Sequence, residues 1–240
     1  MTLDTLAKQT KDADILRRVP LFAGLADDAL AALAGRLRRR KMPAGTPIVY
    51  KGDPSGALYL IAQGRVKVHQ ATASGDEVIL EILGPGDFFG EMSLLDGQPR
   101  SADVSTLDRA ELLLLEGDAL RETISEQPAV AWTLLRILSS RLRDQNERAE
   151  MLMTRDVAGR VADRLLRLSR SQGTLLGDGK SVRLDVTLTQ SDIAALIGAT
   201  RERVSRALTA FRASGAISYD KDGGRWIIHK PATLAKRAEM

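Results

Sequence analysis

The sequence contains no cysteine. That excludes disulfides, a thiolate nucleophile and a cysteine-ligated iron–sulfur cluster, and it fits a reducing, cytoplasmic setting. Histidine is scarce: His69 and His229 are the only two. Each stands apart from any other ligand type in the sequence, so both read as structural or solvated, and neither a metal site nor a haem site is expected. No apolar run approaches the ~20 residues needed to span a bilayer. The opening residues, MTLDTLAKQTKDADIL, carry acids and lack a continuous apolar stretch, so no secretory signal is expected there. No Ser/His/Asp set, metal-ligand cluster or hydrolase phosphate loop appears, and the carboxylates Glu91 and Asp96 have no motif partner. An enzyme is not expected.

What is present is a chain of 240 residues, 44% of them hydrophobic. That is too long for one small core and suits two modest folded domains. The net charge of +4 is unevenly spread: residues 1–154 carry −3 and residues 155–240 carry +7. A basic C-terminal third is read in two ways, as a surface that meets a polyanion or as a solvated basic face.

Residues 13–41 carry helical spacing, with Leu25, Ala29, Leu30, Leu33 and Leu37 on one face. Short β-rich runs follow at 47–50, 57–62, 65–70, 77–83, 102–106 and 110–116. Gly-Asp, Ser-Gly, Gln-Gly and Gly-Pro-Gly punctuation separates several of them, the pattern of an antiparallel sandwich or barrel. From Pro128 the period is helical again. Leu135, Leu138, Leu142, Gln145, Ala149 and Leu152 are spaced 3, 4, 3, 4, 3. Such a heptad seam packs against a twin helix, so a homodimer is expected; the other reading packs this face on the chain's own barrel. Gln145 is polar within the seam, with Asn146 beside it. It sets register, or it reaches a ligand from the dimer axis. Thr-Arg-Asp at 154–156 breaks the helix, with Asp156 an N-cap for the next one, and a break of this kind serves as a hinge. The expected boundaries are 1–127 for a β-barrel domain with N-terminal helices, 128–155 for a dimerisation helix and hinge, and 156–240 for a nucleic-acid-binding domain.

In the basic third, LTQSDIAALIGATRERVSRALTAF spans residues 188–211. Thr189 caps a first helix with Asp192 three residues on. Gly198 suits the left-handed turn that ends it. Ala194 permits a close helix crossing, and Val204 and Leu208 anchor a second helix that Thr200 caps. This is the spacing of a helix-turn-helix. The second helix exposes Arg201, Glu202 and Arg206 near its start, where side chains meet base edges: Arg pairs with guanine O6 and N7, and Glu accepts from cytosine N4. Arg203, Arg212, Gln190 and Ser191 are expected at phosphates or in solvent. GAISYDKDGGRWIIHK reads as two strands around an Asp-Gly-Gly turn, a wing that brings Lys221 and Arg225 near the nucleic-acid backbone.

The stretch FFGEMSLLDGQPRSA, residues 88–102, sets a carboxylate and a guanidinium among apolar residues. Gly90 lets backbone approach a ligand, and the short turn from Glu91 through Met92 and Ser93 to Leu95 aims free N–H groups at an anion. Arg100 adds a charge-assisted pair and Ser101 a hydroxyl. Buried Glu and Arg are costly alone and make sense with a ligand; the other reading is a Glu91–Arg100 structural ion pair.

Taken together, the order β-barrel, long helix, winged helix-turn-helix and the GDFFGEMSLLDGQPRSA motif resemble the cyclic AMP receptor protein/FNR family of bacterial transcription regulators. The resemblance runs from about Leu16 to His229. It implies an α+β chain: an N-terminal cyclic-nucleotide-binding β-barrel (double-stranded β-helix), a long dimerisation helix and a C-terminal winged helix-turn-helix. It implies cyclic AMP as effector, with Gly90, Glu91, Met92, Ser93, Arg100 and Ser101 around the phosphate and ribose, and Glu91 accepting from the 2′-hydroxyl. The family's adenine-reading Thr-Ser pair aligns with Gln145 and Asn146. The family's base-reading positions fall on Arg201, Glu202 and Arg206, implying TGTGA-like half-sites in a palindrome of double-stranded DNA. RNA polymerase is an implied partner through the loop at 171–180. A constitutive DNA-binding regulator of the same architecture, without nucleotide dependence, is the alternative.

Overall fold

A computed structural model describes residues 3–54, 56–220 and 222–239, with side chains from residue 9 onward. The chain divides into two compact units. The first comprises Met1–His69 and Ile82–Arg143, the second Gln70–Glu81 and Asp144–Met240.

The first unit opens with helices α1 (Leu3–Arg18) and α2 (Asp27–Ala34). The helical spacing expected through residue 41 ends earlier. Residues 38–42 form strand β1 (Arg38–Met42), which pairs antiparallel with β8 (Ala110–Glu116), Arg38 opposite Leu114 and Met42 opposite Ala110. Tertiary pairing overrides the local helical spacing here. Arg39 on that strand bridges Asp12 of α1 and Glu111 of β8, so the three elements share one ion network.

The strands expected from the punctuated runs are present as β2 (Pro47–Val49), β3 (Ala57–Gln63), β4 (Val66–Ala71), β5 (Glu77–Leu83), β7 (Asp103–Thr106) and β8. A two-residue strand, β6 (Phe88–Phe89), pairs with β3, and helices α3 (Glu91–Asp96) and α4 (Gly117–Glu126) flank β7 and β8. The sheets run β1-β8-β3-β6 and β2-β7-β4-β5. One apolar cluster gathers Leu16, Phe22, Leu58, Leu60, Phe88, Leu113, Leu115 and Leu134 under the helices. A second gathers Tyr59, Ile61, Val66, Phe89, Val104 and Leu112 between the sheets. Tyr59 and Phe89 stack with ring centroids 4.8 Å apart. Burial of this apolar surface is the main driving force for the fold.

Helix α5 (Pro128–Thr154) begins in the first unit, where Val130 and Leu134 are buried and Ile137 and Leu138 pack on the first cluster. The seam therefore divides: Leu138 goes to the chain's own core, whereas Leu135, Leu142 and Leu152 stay exposed, Leu142 at 63%.

The second unit holds the rest of α5, then α6 (Val157–Gln172), β9 (Gly173–Leu175), β10 (Val182–Leu184), α7 (Gln190–Ile197), α8 (Arg201–Ala213), β11 (Ile217–Asp220), β12 (Arg225–Ile228) and α9 (Pro231–Ala238). Its sheet order is β11-β12-β10-β9. The segment at 171–180 is thus not a plain loop. Its residues 173–175 pair with β10 as an edge strand. Near the C-terminus, where the sequence carries no expectation, Pro231–Ala238 form α9 with Leu234 fully buried.

Candidate functional site

The 88–102 stretch folds as β6, a left-handed glycine and one short helix. Gly90 has φ +88°, and a Cβ built there would lie 2.4 Å from Arg100 Nη1. Only glycine tolerates both the dihedral and the approach. The helix α3 that follows leaves its first N–H groups without helical partners, and Gly90 has no side chain to cap them.

Arg100 lies across this turn and is 6% exposed. Its Nη1 donates to Gly90 O at 2.8 Å and to Ser93 Oγ at 2.9 Å, and its Nη2 donates to Ala57 O at 2.7 Å. Its Nε is buried without a partner among the described residues. Burial pushes the guanidinium below its usual range, partly offset by Tyr59, Glu91 and Asp53. An arginine held at both ends with one buried donor to spare fits an anion at its edge. Ser101 is exposed and its Oγ lies 3.8 Å from the sulfur of Met92, itself exposed.

Glu91 is 4% exposed, and its ion partner is not Arg100. Arg141 of α5 donates from Nη1 to Glu91 Oε1 at 2.7 Å and from Nη2 to Phe88 O at 2.8 Å. The same guanidinium sits 4.7 Å from the Phe88 ring centroid. The Glu91–Arg100 pair offered as the structural alternative is therefore replaced by Glu91–Arg141. The seam reading missed Arg141 because it tracked apolar positions. The available signal was spacing: Arg141 follows Ile137 by four residues, on the face already turned to the sheet.

Gly90, Glu91, Met92, Ser93, Arg100 and Ser101 are thus gathered in one turn. Gln145 and Asn146 fall in the second unit, both exposed. Gln145 there lines a groove with Arg148, Arg160 and Arg164. Glu81 in that unit accepts from Arg148 of α5 and from Arg164 of α6. The strand reading of residues 77–83 gave no hint of this cluster.

Helices α7 and α8 meet as the spacing implies. Thr189 and Asp192 form a reciprocal capping box, and Gly198 ends α7 at φ +62°. Ile193, Ala194, Ile197, Val204 and Leu208 are buried, so Arg201, Glu202, Arg203 and Arg206 face outward. One expected contact differs. Thr200 stands at the N-cap of α8 but makes no cap bond. Its hydroxyl serves the Glu202 carboxylate instead, which the Glu202 backbone N–H and that hydroxyl hold below the usual range. Glu202 is thereby kept an acceptor. Gln190 and Ser191 open α7. On the wing, Arg225 Nη1 is 3.5 Å from Asp185, while Lys221 lies outside the described residues. His69 Nε2 meets Ser105 Oγ at 3.0 Å, and His229 bridges Ser181 and Ser218 at 3.0 and 2.8 Å.

Comparison with known proteins decides the lineage. Residues 39–127 match the cyclic nucleotide-binding domain family, and residues 159–237 match the Crp-like helix-turn-helix domain. A CRP-like cAMP-activated global transcriptional regulator of Mycobacterium tuberculosis is 38% identical over 225 residues, 94% of this chain and 99% of that one. The chain belongs to the cyclic AMP receptor protein/FNR family. The Cyclic AMP receptor protein of Thermus thermophilus is 39% identical over 198 residues, 82% of this chain and 88% of that one. The solved catabolite activator protein of the same organism superposes with a TM-score of 0.52 at 36% identity, covering 92% of this chain and 98% of that one. As a member of this family, the protein is a DNA-binding transcription regulator with a cyclic nucleotide-binding domain. No described helix is long and apolar enough to cross a membrane.

Proposed function

We propose that the protein is a cyclic AMP-responsive, sequence-specific transcription regulator that acts as a homodimer on palindromic DNA with TGTGA-like half-sites. The observation that carries this reading is the joint burial of Glu91 and Arg100 around one glycine turn, with the Arg100 Nε left over. Two buried charges held in place by protein partners form a pre-set cradle for one anion and one hydroxyl.

In this reading Gly90, Met92 and Ser93 present backbone N–H groups, Arg100 and Ser101 meet the phosphate, and Glu91 accepts from the ribose 2′-hydroxyl. A cyclic nucleotide supplies one negative charge and a hydroxyl at that turn. Gln145 and Asn146 would read the base edge. Arg141 passes any shift of Glu91 to α5, since the one guanidinium holds both the Glu91 carboxylate and Phe88 O. From α5 the signal reaches the joint at 154–156, and it gates DNA only if the effector binds the two joint states unequally.

The exposed apolar positions Trp132, Leu135, Leu142, Leu152 and Met153 support a partner helix along α5. Twofold symmetry then sets two recognition helices on successive major grooves, with Arg201, Glu202 and Arg206 at base edges and Lys221 and Arg225 near phosphates. The division at 1–127, 128–155 and 156–240 follows these three tasks. The segment at 171–180 is the surface assigned to RNA polymerase, and the cytoplasm is the expected compartment. Calorimetric titration of the free protein with cyclic AMP and cyclic GMP tests the effector. Saturable heat with cyclic AMP supports the reading. No heat with either moves the protein to the constitutive alternative, for which the protein partners of Glu91 and Arg100 suffice.

A further inference from the structure

We propose that Arg237 of the C-terminal helix α9 is a positioning residue for the joint at 154–156, so that α9 braces the start of α6 and sets how tightly the joint is held. The signalling half of this inference rests on the ligand-gated reading above; the brace itself does not.

The joint is short. Helix α5 ends at Thr154 and α6 begins at Val157, which leaves Arg155 and Asp156 between them. Asp156 is the N-cap of α6, and its Oδ1 accepts from Gly159 N at 2.8 Å. Its second oxygen is taken by Arg237 Nη2, reaching across from α9. One carboxylate thus fixes the first turn of α6 with one oxygen and the end of α9 with the other. Both bonds favour the charged form, and they hold the Asp156 carboxyl below its usual range, the Gly159 amide first and Arg237 after it.

Gly159 lets α9 come close to the start of α6 without strain. A Cβ there would lie 3.3 Å from Arg237 O and 3.4 Å from Asp156 Oδ1. The first contact would ask α9 to give by a few tenths of an ångström; the second is close to ordinary packing. The rest of α9 is anchored independently: Pro231 starts it, and Leu234 and Ala238, four residues apart, are buried on one face. Val157, Val161, Ala162 and Leu165 are the buried face of α6. Arg237 therefore sits on a helix already docked, and its guanidinium is delivered to Asp156 rather than recruited from solvent. The pair is partly exposed, at 28% and 60% for the two side chains. Exposed pairs add little to global stability. What Arg237 provides is direction: without it the Asp156 carboxylate is held by the Gly159 amide alone, and residues 155–156 gain some of the freedom a hinge uses.

The test uses the full-length protein with Arg237→Gln and Arg237→Lys. In the absence of nucleotide, amide hydrogen exchange over residues 155–160 is expected to quicken about tenfold in R237Q, with α7 and α8 unchanged and R237K near wild type. In wild type alone, 1 M salt should quicken the same amides, because it screens the pair. The ratio of palindrome affinity with and without cyclic AMP should fall about threefold or more in R237Q. Unchanged exchange at 155–160 in both R237Q and high salt overturns the brace. Faster exchange with an unchanged ratio, in a protein whose wild type responds to cyclic AMP, overturns its signalling role. If the wild-type ratio is already one, the ligand-gated reading fails and exchange alone decides the brace. Should R237Q not fold, the salt series on wild type decides it.

Discussion

Arg141 Nη1 stands 2.7 Å from Glu91 Oε1, which ties the carboxylate of the Gly90–Ser101 turn to helix α5. Glu91 is buried and Arg141 about one-third exposed, so the pair is neither a surface ornament nor a sealed core bridge. Arg141→Ala leaves a buried carboxylate without its cation. It should cost about 1–3 kcal/mol of unfolding free energy, the lower part of the range because solvent reaches the arginine side. Glu91→Gln with Arg141→Gln together should cost less than the sum of the two, as read from urea midpoints; strict additivity would mean the two do not interact.

Arg100 spends its two Nη groups on Gly90 O, Ala57 O and Ser93 Oγ. Arg100→Gln should weaken cyclic AMP binding by about tenfold or more, since a charge-assisted contact is worth about 1.5–3 kcal/mol. Arg100→Lys keeps the charge but not the fork and should recover only part. Calorimetry measures both. Full affinity in R100Q would remove Arg100 from the site.

Gly90→Ala asks for a Cβ at φ +88° and 2.4 Å from Arg100 Nη1. The dihedral alone costs about 1 kcal/mol, and Arg100 must move as well. Thermal melting should show a lower midpoint, with effector affinity reduced in parallel. A neutral G90A would show that the turn relaxes freely.

Asp178 in the 176–181 turn accepts from Ser181 Oγ at 2.6 Å and from the backbone N–H of Lys180 and Ser181. These bonds pull its carboxyl down from 3.8 to about 2. Because the folded value is the lower one, the turn's contribution is present above pH ~4 and is lost as pH falls through about 2. Asp178→Asn should therefore be less stable than wild type at pH 6, and the gap should close on acidification. A gap that stays constant down to pH ~2.5 would contradict the assignment.

Much of this architecture was legible in the chain. The capping box at Thr189 and Asp192 and the glycine at 198 have local geometric causes, so spacing alone locates α7 and the turn before α8. What escaped was non-local. Strand β1 exists because Arg38 to Met42 find partners on β8, about seventy residues away. Arg141 meets Glu91 fifty residues upstream, and Arg237 meets Asp156 eighty-one residues upstream. Ion pairs of this kind leave no periodic mark, because a charged residue on an exposed helix face reads as solvated until its partner is placed.

Arg201, Glu202 and Arg206 are exposed at the start of α8, while Val204 between them is fully buried. Arg206→Ala should weaken palindrome binding by about 1–3 kcal/mol and relax preference at one position of each half-site. Arg212→Ala should lower affinity more evenly across sequences. Equal, sequence-independent losses from both would remove Arg206 from base reading.

The central claim is that the Gly90–Ser101 turn senses cyclic AMP and thereby controls α8. Affinity for a labelled TGTGA palindrome, measured at fixed salt without nucleotide and at saturating cyclic AMP, tests it most directly. About tenfold or greater tightening is expected in wild type, and none in Arg100→Gln. Equal affinity in both conditions for wild type that is demonstrably saturated would contradict it.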